Sequence, residues 1–368
     1  MASLVALAGC ATLPSNGPTA RAVVRQSRAP DGTNRFRIVD LDQASVTALD
    51  GLERDQAAKL PTLASLDANA RVDLIGPGDV LTVTVFEVGV SLFAGTRAGG
   101  IPGGFDPSAH DQSFPATVVD ADGRVDLPYL GSIPVAGLTP DQARVRIVAA
   151  LRGKSQDARV LVTVSQNVTN TVYVAGTVTR PGRFPLTLAR ERLLDAIAAA
   201  GGSANSSDDT IVRFVRGGRT VEQRLGTIRA GVPDDLVLNP GDRIELIRRP
   251  RTYTVFGAAT RISQVAFETG EVSLAEALAR SGGPSDATAD PTAIFLFRYS
   301  VQGLGDAEPV IYRLNLMKPE SYFLSQRFAM HDKDVIFVAN AAANQPSKLV
   351  GIVNQLFSPF ITARAIAR

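Results

Sequence analysis

Residues 171–202 read TVYVAGTVTRPGRFPLTLARERLLDAIAAAGG, and residues 252–283 read TYTVFGAATRISQVAFETGEVSLAEALARSGG. A constant shift superposes the two without a gap. It lays Val174 on Val255, Gly176 on Gly257, Arg180 on Arg261, Leu193 on Leu274 and Gly201-Gly202 on Gly282-Gly283. An ungapped register is the signature of a duplicated structural unit. Each copy reads strand, turn, strand, helix, with the glycine pair as the helix stop. Each then runs to a closing strand rich in Val and Ile, Asn239–Leu246 (NPGDRIEL) in one and His331–Val338 (HDKDVIFV) in the other. Two α+β modules therefore occupy the second half of the chain.

Upstream, Ile75-Gly76-Pro77-Gly78-Asp79 is a turn that feeds Val80–Phe86 (VLTVTVF), a run of β-branched and aromatic residues. Residues 88–114, with Gly99-Gly100 and Gly103-Gly104, read as a long surface loop. Thr117–Val119, the turn Asp122-Gly123 and Val125–Pro128 form a hairpin signal, and Leu130–Val135 a further short strand. Thr139 is placed to cap a helix that has Pro140 at its first position and Ala143, Ile147, Ala150 and Leu151 at helical spacing. Val160–Val164 returns to strand. Between 21 and 68 the clearest feature is Thr47–Leu60, a short helix stopped by Pro61.

Composition narrows the function. In 368 residues, 38 Lys+Arg against 36 Asp+Glu leave a net charge of +2, no electrostatic footprint for nucleic acid. One Cys excludes an internal disulfide framework and a Cys-built zinc site, and His110 and His331 stand far apart outside any metal-binding pattern. No cofactor is indicated. Gly153-Lys154-Ser155 lacks the earlier glycine of a phosphate loop and follows a helix rather than a strand. Asp208-Asp209 and Asp234-Asp235 read as loop carboxylates or caps, with no nucleophile and base beside them. The absence of Trp removes the best platform for tight sugar stacking.

The two ends carry the membrane signals. Leu7-Ala8-Gly9-Cys10 follows an apolar stretch and resembles the bacterial lipoprotein cleavage box, with a polar tether behind it from Thr12 to Pro18. Cys10 is the expected lipidation site; no basic segment precedes the apolar stretch, and the plain alternative is a small buried Cys. At 100° per residue Lys348, Gly351, Asn354, Gln355, Ser358 and Thr362 fall within an arc of about 120°. Leu349, Val350, Ile352, Val353, Leu356, Phe357, Phe360 and Ile361 fill the wider opposite arc. As a helix, Lys348–Arg368 would span about 31 Å, close to the hydrocarbon thickness. A single copy would expose polar side chains to lipid, whereas a ring of copies would turn them to water. Pro359 opposes this by removing a hydrogen bond at a cost of about 3 kcal/mol, which neighbouring helices can offset. The other reading of the stripe is a helix packed on its own domain or lying flat on a membrane.

The chain resembles the outer-membrane polysaccharide export protein family. Ile75–Leu81 with Val83 and Val85 looks like the opening of the polysaccharide export domain. Asp122–Val125, Leu127–Gly131 and Val135–Thr139 match its second motif, and Val172–Pro185 looks like the signature of the soluble-ligand-binding β-grasp repeat. Departures are the loop at 88–114 and the second repeat, where Ile262-Ser263 replace Pro181-Gly182. The reading is α+β. It comprises a lipoprotein signal and tether (1–20), an N-terminal segment (21–70), the export domain (71–168), two β-grasp repeats (169–250, 251–345) and a C-terminal amphipathic transmembrane helix (346–368). The resemblance implies a non-enzymatic channel subunit that forms an octamer, exports capsular or extracellular polysaccharide and docks with an inner-membrane co-polymerase or tyrosine kinase. Cys10 would be the anchor, the 348–362 polar stripe the lumen lining and Leu349, Ile352, Val353, Leu356, Phe357 and Phe360 the lipid-facing set. The rival is a periplasmic adaptor whose last helix docks on a separate outer-membrane β-barrel; a polysaccharide-modifying enzyme is a distant third.

Overall fold

The computed structural model describes residues 17–27, 36–88, 92–93, 109–155, 157–301 and 307–343. Cys10 and the stretch from Lys348 onward, which carry the expected anchor and pore wall, lie outside them. Among the described residues no helix is long and apolar enough to cross a membrane. The chain divides into two compact units, Pro61–Arg249 and one that joins Met1–Leu60 to Pro250–Arg368.

In chain order α1 (Ala20–Gln26), β1 (Arg37–Asp40) and α2 (Gln43–Lys59) come first. α2 begins ahead of the expected Thr47 because Asp42 caps it. The Asp42 carboxylate accepts from the Ser45 N–H at 2.7 Å, and the Ser45 hydroxyl accepts from the Asp42 N–H at 2.9 Å.

The unit Pro61–Arg249 opens with β2 (Val80–Val88), β3 (Ala109–Val118), β4 (Arg124–Leu127), β5 (Gly131–Pro134), α3 (Pro140–Leu151) and β6 (Arg159–Gln166). β2 is central, antiparallel to both β3 and β6. Alternate residues Leu81, Val83 and Val85 point to a core completed by Ala143, Ile147 and Leu151 of α3, which Thr139 and Gln142 cap reciprocally. Two expectations are corrected here. The stretch read as a loop to residue 114 becomes strand from Ala109, because β2 has a free edge that satisfies those backbone groups. The hairpin partner of Arg124–Leu127 is β5, not residues 117–119, since Tyr129 and Gly131 take positive φ (64° and 70°) and reverse the chain there. The Gly76–Asp79 turn is locked by the buried Asp79 carboxylate. It accepts from the N–H groups of Gly76 (2.9 Å), Val168 (2.8 Å) and Thr169 (2.9 Å), tying the start of β2 to the loop that leads out of β6.

The first repeat follows as β7 (Thr171–Gly176), β8 (Gly182–Pro185), α4 (Leu193–Ala199), β9 (Thr210–Arg216), β10 (Arg219–Arg224) and β11 (Arg243–Arg248). Its sheet has the order β10-β9-β11-β7-β8, with β7 and β11 parallel and the other pairs antiparallel. One face buries Val172, Val174, Phe214, Ile244 and Leu246 against Leu193, Ala196 and Ile197 of α4. The second repeat repeats the plan with β12 (Thr252–Gly257), β13 (Ser263–Ala266), α5 (Leu274–Arg280), β14 (Ala289–Val301), β15 (Ala307–Leu314), α6 (Glu320–Arg327) and β16 (Val335–Asn340). β13 keeps the pairing of β8 despite the altered turn, and β1 adds a sixth strand, parallel to β15. The glycine that the duplication retains has a reason. A Cβ on Gly176 would sit 2.1 Å from the Leu246 carbonyl oxygen, and one on Gly257 2.1 Å from that of Val338.

Each repeat is closed by the same buried ion pair. Arg216 of β9 grips Asp242 through Nε (2.9 Å) and Nη2 (2.6 Å) and donates to the Val237 carbonyl at 2.7 Å. Arg298 of β14 grips Asp334 through Nε (3.0 Å) and Nη2 (2.7 Å) and donates to the Ala329 carbonyl at 2.7 Å. Each Asp also accepts from the N–H three residues before it, Asn239 or His331, at 2.7 Å. The Asp carboxylates are almost fully buried (2% and 1% exposed), so removing either partner strands a charge in a low-dielectric site. Asp242→Ala and Asp334→Ala are each expected to lower stability by about 3–5 kcal/mol in urea unfolding. A loss below about 1 kcal/mol, the range of exposed pairs, would contradict this role.

Candidate functional site

The expected lipidation site and both faces of the C-terminal helix lie outside the described residues, so the described structure brings none of them together. What it does place are the polar groups that a catalytic reading would need, and these are engaged in structure. Asp235 is buried and accepts from the Leu194 N–H at 3.0 Å and the Gly231 N–H at 3.1 Å, pinning the loop that covers α4. Asp234 accepts from the Ala64 N–H (3.0 Å) and from Gln223 (2.9 Å), seating the short 3-10 turn Leu63–Leu66 on the first repeat. Lys154 follows α3 and donates to the Tyr129 carbonyl at 2.8 Å. Among the described residues no group of three or more His, Cys, Asp or Glu is placed to hold a metal ion.

In the unit Pro61–Arg249 a broad groove of about 890 Å³ runs between the start of α3, β6 and residues 185–189. Its charges pair locally, Arg71 with Asp73 at 2.6 Å and Arg144 with Asp141 at 3.1 Å. The groove's Thr187 donates its hydroxyl to Glu191 at 2.5 Å, and the same carboxylate accepts from the Thr187 N–H at 2.8 Å, so this pair caps its own loop.

In the other unit α2 is latched to the second repeat. Glu53 lies 3.0 Å from Nε2 of His331 and 3.6 Å from Arg298, the arginine that grips Asp334, and Asp50 pairs with Arg327 at 3.1 Å. The His331 hydrogen bond, opposed by burial and helped by the charges of His331 and Arg298, holds the Glu53 carboxyl below its ordinary value of 4.5. This latch was not legible beforehand: α2 is far from His331 in sequence, and Glu53 sits in an ordinary charged helix.

With this geometry in place, comparison with known proteins defines the class. Residues 67–165 match the family described as polysaccharide biosynthesis/export protein, and residues 170–245 and 251–338 each match the SLBB domain. The chain belongs to the polysaccharide export protein family, which is a family of transport proteins and not of enzymes. It is 31% identical to the capsule polysaccharide export protein BexD of Haemophilus influenzae, over 97% of this chain and 94% of the relative. It is 33% identical to the capsule polysaccharide export outer membrane protein CtrA of Neisseria meningitidis, over 96% of this chain and 92% of the relative. A third relative, the EPS I polysaccharide export outer membrane protein EpsA of Ralstonia solanacearum, is 29% identical over 80% of this chain and 78% of the relative.

The latch carries a signed pH dependence. A carboxyl depressed on folding contributes stability that is complete above its ordinary value of 4.5 and is lost as pH falls through the folded value. Thermal unfolding followed from about pH 6 to about pH 3 should show a component of acid destabilisation that Glu53→Gln removes. An unchanged acid profile in Glu53→Gln would contradict the latch.

Proposed function

We propose that this chain is the outer-membrane subunit of a channel that exports capsular or extracellular polysaccharide. The observation that carries the reading is similarity along nearly the whole length of relatives named as capsule polysaccharide export proteins, with 94% of one and 92% of another covered. In this reading acyl chains on Cys10 hold the chain at the outer membrane, each buried CH₂ contributing about 0.8 kcal/mol. The export domain and the two repeats stand in the periplasm. Copies assemble into a closed ring, because identical head-to-tail contacts close when the rotation between neighbours divides the circle; an octamer is the size the family resemblance implies.

The pore wall in this reading is the amphipathic segment 346–368, one helix from each copy. Lys348, Gly351, Asn354, Gln355, Ser358 and Thr362 face water, while Leu349, Ile352, Val353, Leu356, Phe357 and Phe360 face lipid and neighbouring helices. Closing the helices into a barrel removes the cost of polar side chains in hydrocarbon. Transport through such a lumen is passive, with width and polarity in place of chemistry, and an inner-membrane co-polymerase or kinase supplies the polymer.

Complementation tests the reading. A strain lacking its own export protein should regain surface polysaccharide with the full chain, lose it when the chain ends at Ala343, and show reduced display with Cys10→Ser. Full display from the chain ending at Ala343 would overturn the helical pore and favour an adaptor that docks on a separate β-barrel.

A further inference from the structure

The open face of the first-repeat sheet, opposite α4, carries two rows of charge that differ in kind. One row neutralises itself: Arg213 of β9 pairs with Glu222 of β10 at 2.8 Å and with Glu245 of β11 at 3.0 Å, and Arg249 pairs with Glu222 at 3.0 Å. The neighbouring row does not. Arg183 of β8, Tyr173 of β7 and Arg243 of β11 stand side by side in register, all three exposed. The Arg183 guanidinium lies 4.9 Å from the centre of the Tyr173 ring and that of Arg243 5.7 Å from it. Among the described residues neither arginine is paired with a carboxylate; Glu245, next on the same face of β11, is taken by Arg213.

The duplication supplies an internal control. The positions equivalent in register to Tyr173, Arg183 and Arg243 are Thr254, Gln264 and Val335 in the second repeat. The same fold thus forms with three neutral residues there, and the cationic row is not a requirement of the sheet. Two cations without carboxylate partners, held from either side against a single exposed ring, leave positive charge on this face for an anionic ligand. The ring restrains both guanidiniums, which lowers the entropy lost when their planar donor forks meet carboxylates. Beside the row lie Ala175, Val215 and Thr220, so that Tyr173, flanked by the two arginines, has small or polar neighbours and no apolar cluster around it to form the dry centre of a protein interface.

We propose that Arg183, Tyr173 and Arg243 form a binding site for carboxylate-bearing sugar residues of an acidic polysaccharide. This rests on the export reading above and narrows its cargo to a polyanion. Each contact is weak, and a polymer with repeated carboxylates gains from many copies of the site around an assembly. The stacking is therefore between arginine and tyrosine, not between tyrosine and sugar, which suits a cargo that must move on.

Binding of fluorescent hexagalacturonate to the full-length protein in detergent, beside maltohexaose and hexaglutamate, tests the site. Arg183→Gln/Arg243→Gln is expected to weaken hexagalacturonate binding about tenfold or more, as loss of two charge-assisted contacts requires. Tyr173→Thr, which installs the second repeat's residue and keeps both charges, should weaken it less. Arg25→Gln/Arg261→Gln, which removes the same charge elsewhere, should leave it unchanged. Equal weakening in that control, or none in the site variant, would overturn the proposal. Hexaglutamate bound as tightly, with the same dependence on Arg183 and Arg243, would overturn the glycan assignment in favour of an acidic protein segment. Failure here is separable from failure of the channel: display of polysaccharide with no acidic-sugar discrimination sinks this site alone, and discrimination without display sinks the channel alone.

Discussion

In each repeat the turn before the closing strand must be held at one height against the sheet, and an arginine does this by gripping a buried aspartate. Asp242 begins the approach to β11 and Asp334 that to β16, the strands that pair parallel with β7 or β12 on one side and antiparallel with β9 or β14 on the other. Because the arginine comes from the antiparallel neighbour, the pair fixes the register of both ladders together. A slip of one residue would reverse every side chain on the closing strand and turn Ile244 and Leu246, or Ile336 and Val338, out of their cores. The export domain uses a third buried aspartate, Asp79, in the same kind of turn, but satisfies it with three backbone N–H groups instead of an arginine.

From this shared frame the two repeats diverge at their surfaces. The second takes on β1 as an added strand and α2 as a cover, so that Val46 and Leu41 join its core and Glu53 reaches the arginine of its ion pair. The first takes on the short turn Leu63–Leu66 instead, with Leu63 and Leu66 in its core, and keeps an open sheet face opposite α4 where, among the described residues, one row of charge pairs with itself and the cations around Tyr173 do not. Duplication thus preserved the positions that position backbone and released the ones that meet solvent, which is where a binding role can be added without loss of stability.

Much of this was written locally. The gapless repeat, the glycine pairs, the Thr139-Pro140 helix start and the Gly-Pro-Gly-Asp turn follow from short-range rules, and the structure places strands and helices where those residues ask for them. What escaped depends on long-range partners. Ala109–Phe114 is too polar to read as strand, and becomes one because the edge of β2 needs hydrogen-bond partners. β4 chose β5 over the nearer-looking residues 117–119 because Tyr129 adopts positive φ, which its residue type does not announce. β1 is four residues long and is strand only because β15 lies beside it. The Arg216–Asp242 and Arg298–Asp334 pairs lie past the gapless stretch, where the shift that lays Gly202 on Gly283 sets Arg216 on Phe297 and Asp242 on Phe323, so insertions in the second repeat hide their equivalence. Of the functional residues, Cys10 and the 348–362 stripe rest on sequence pattern and family resemblance, whereas the Arg183–Tyr173–Arg243 row emerges only when three strands are laid in register.

The measurement that bears most directly on the channel is current through the full-length protein in a planar bilayer, with single cysteines placed on the C-terminal helix and Cys10 kept, since in this reading an acyl chain already occupies its thiol. A charged thiol reagent added from the aqueous side should step the current down in Asn354→Cys and Ser358→Cys and leave it unchanged in Leu356→Cys and Phe360→Cys. Absence of conductance, or block from the apolar positions and not from the polar ones, would contradict a pore lined by that stripe.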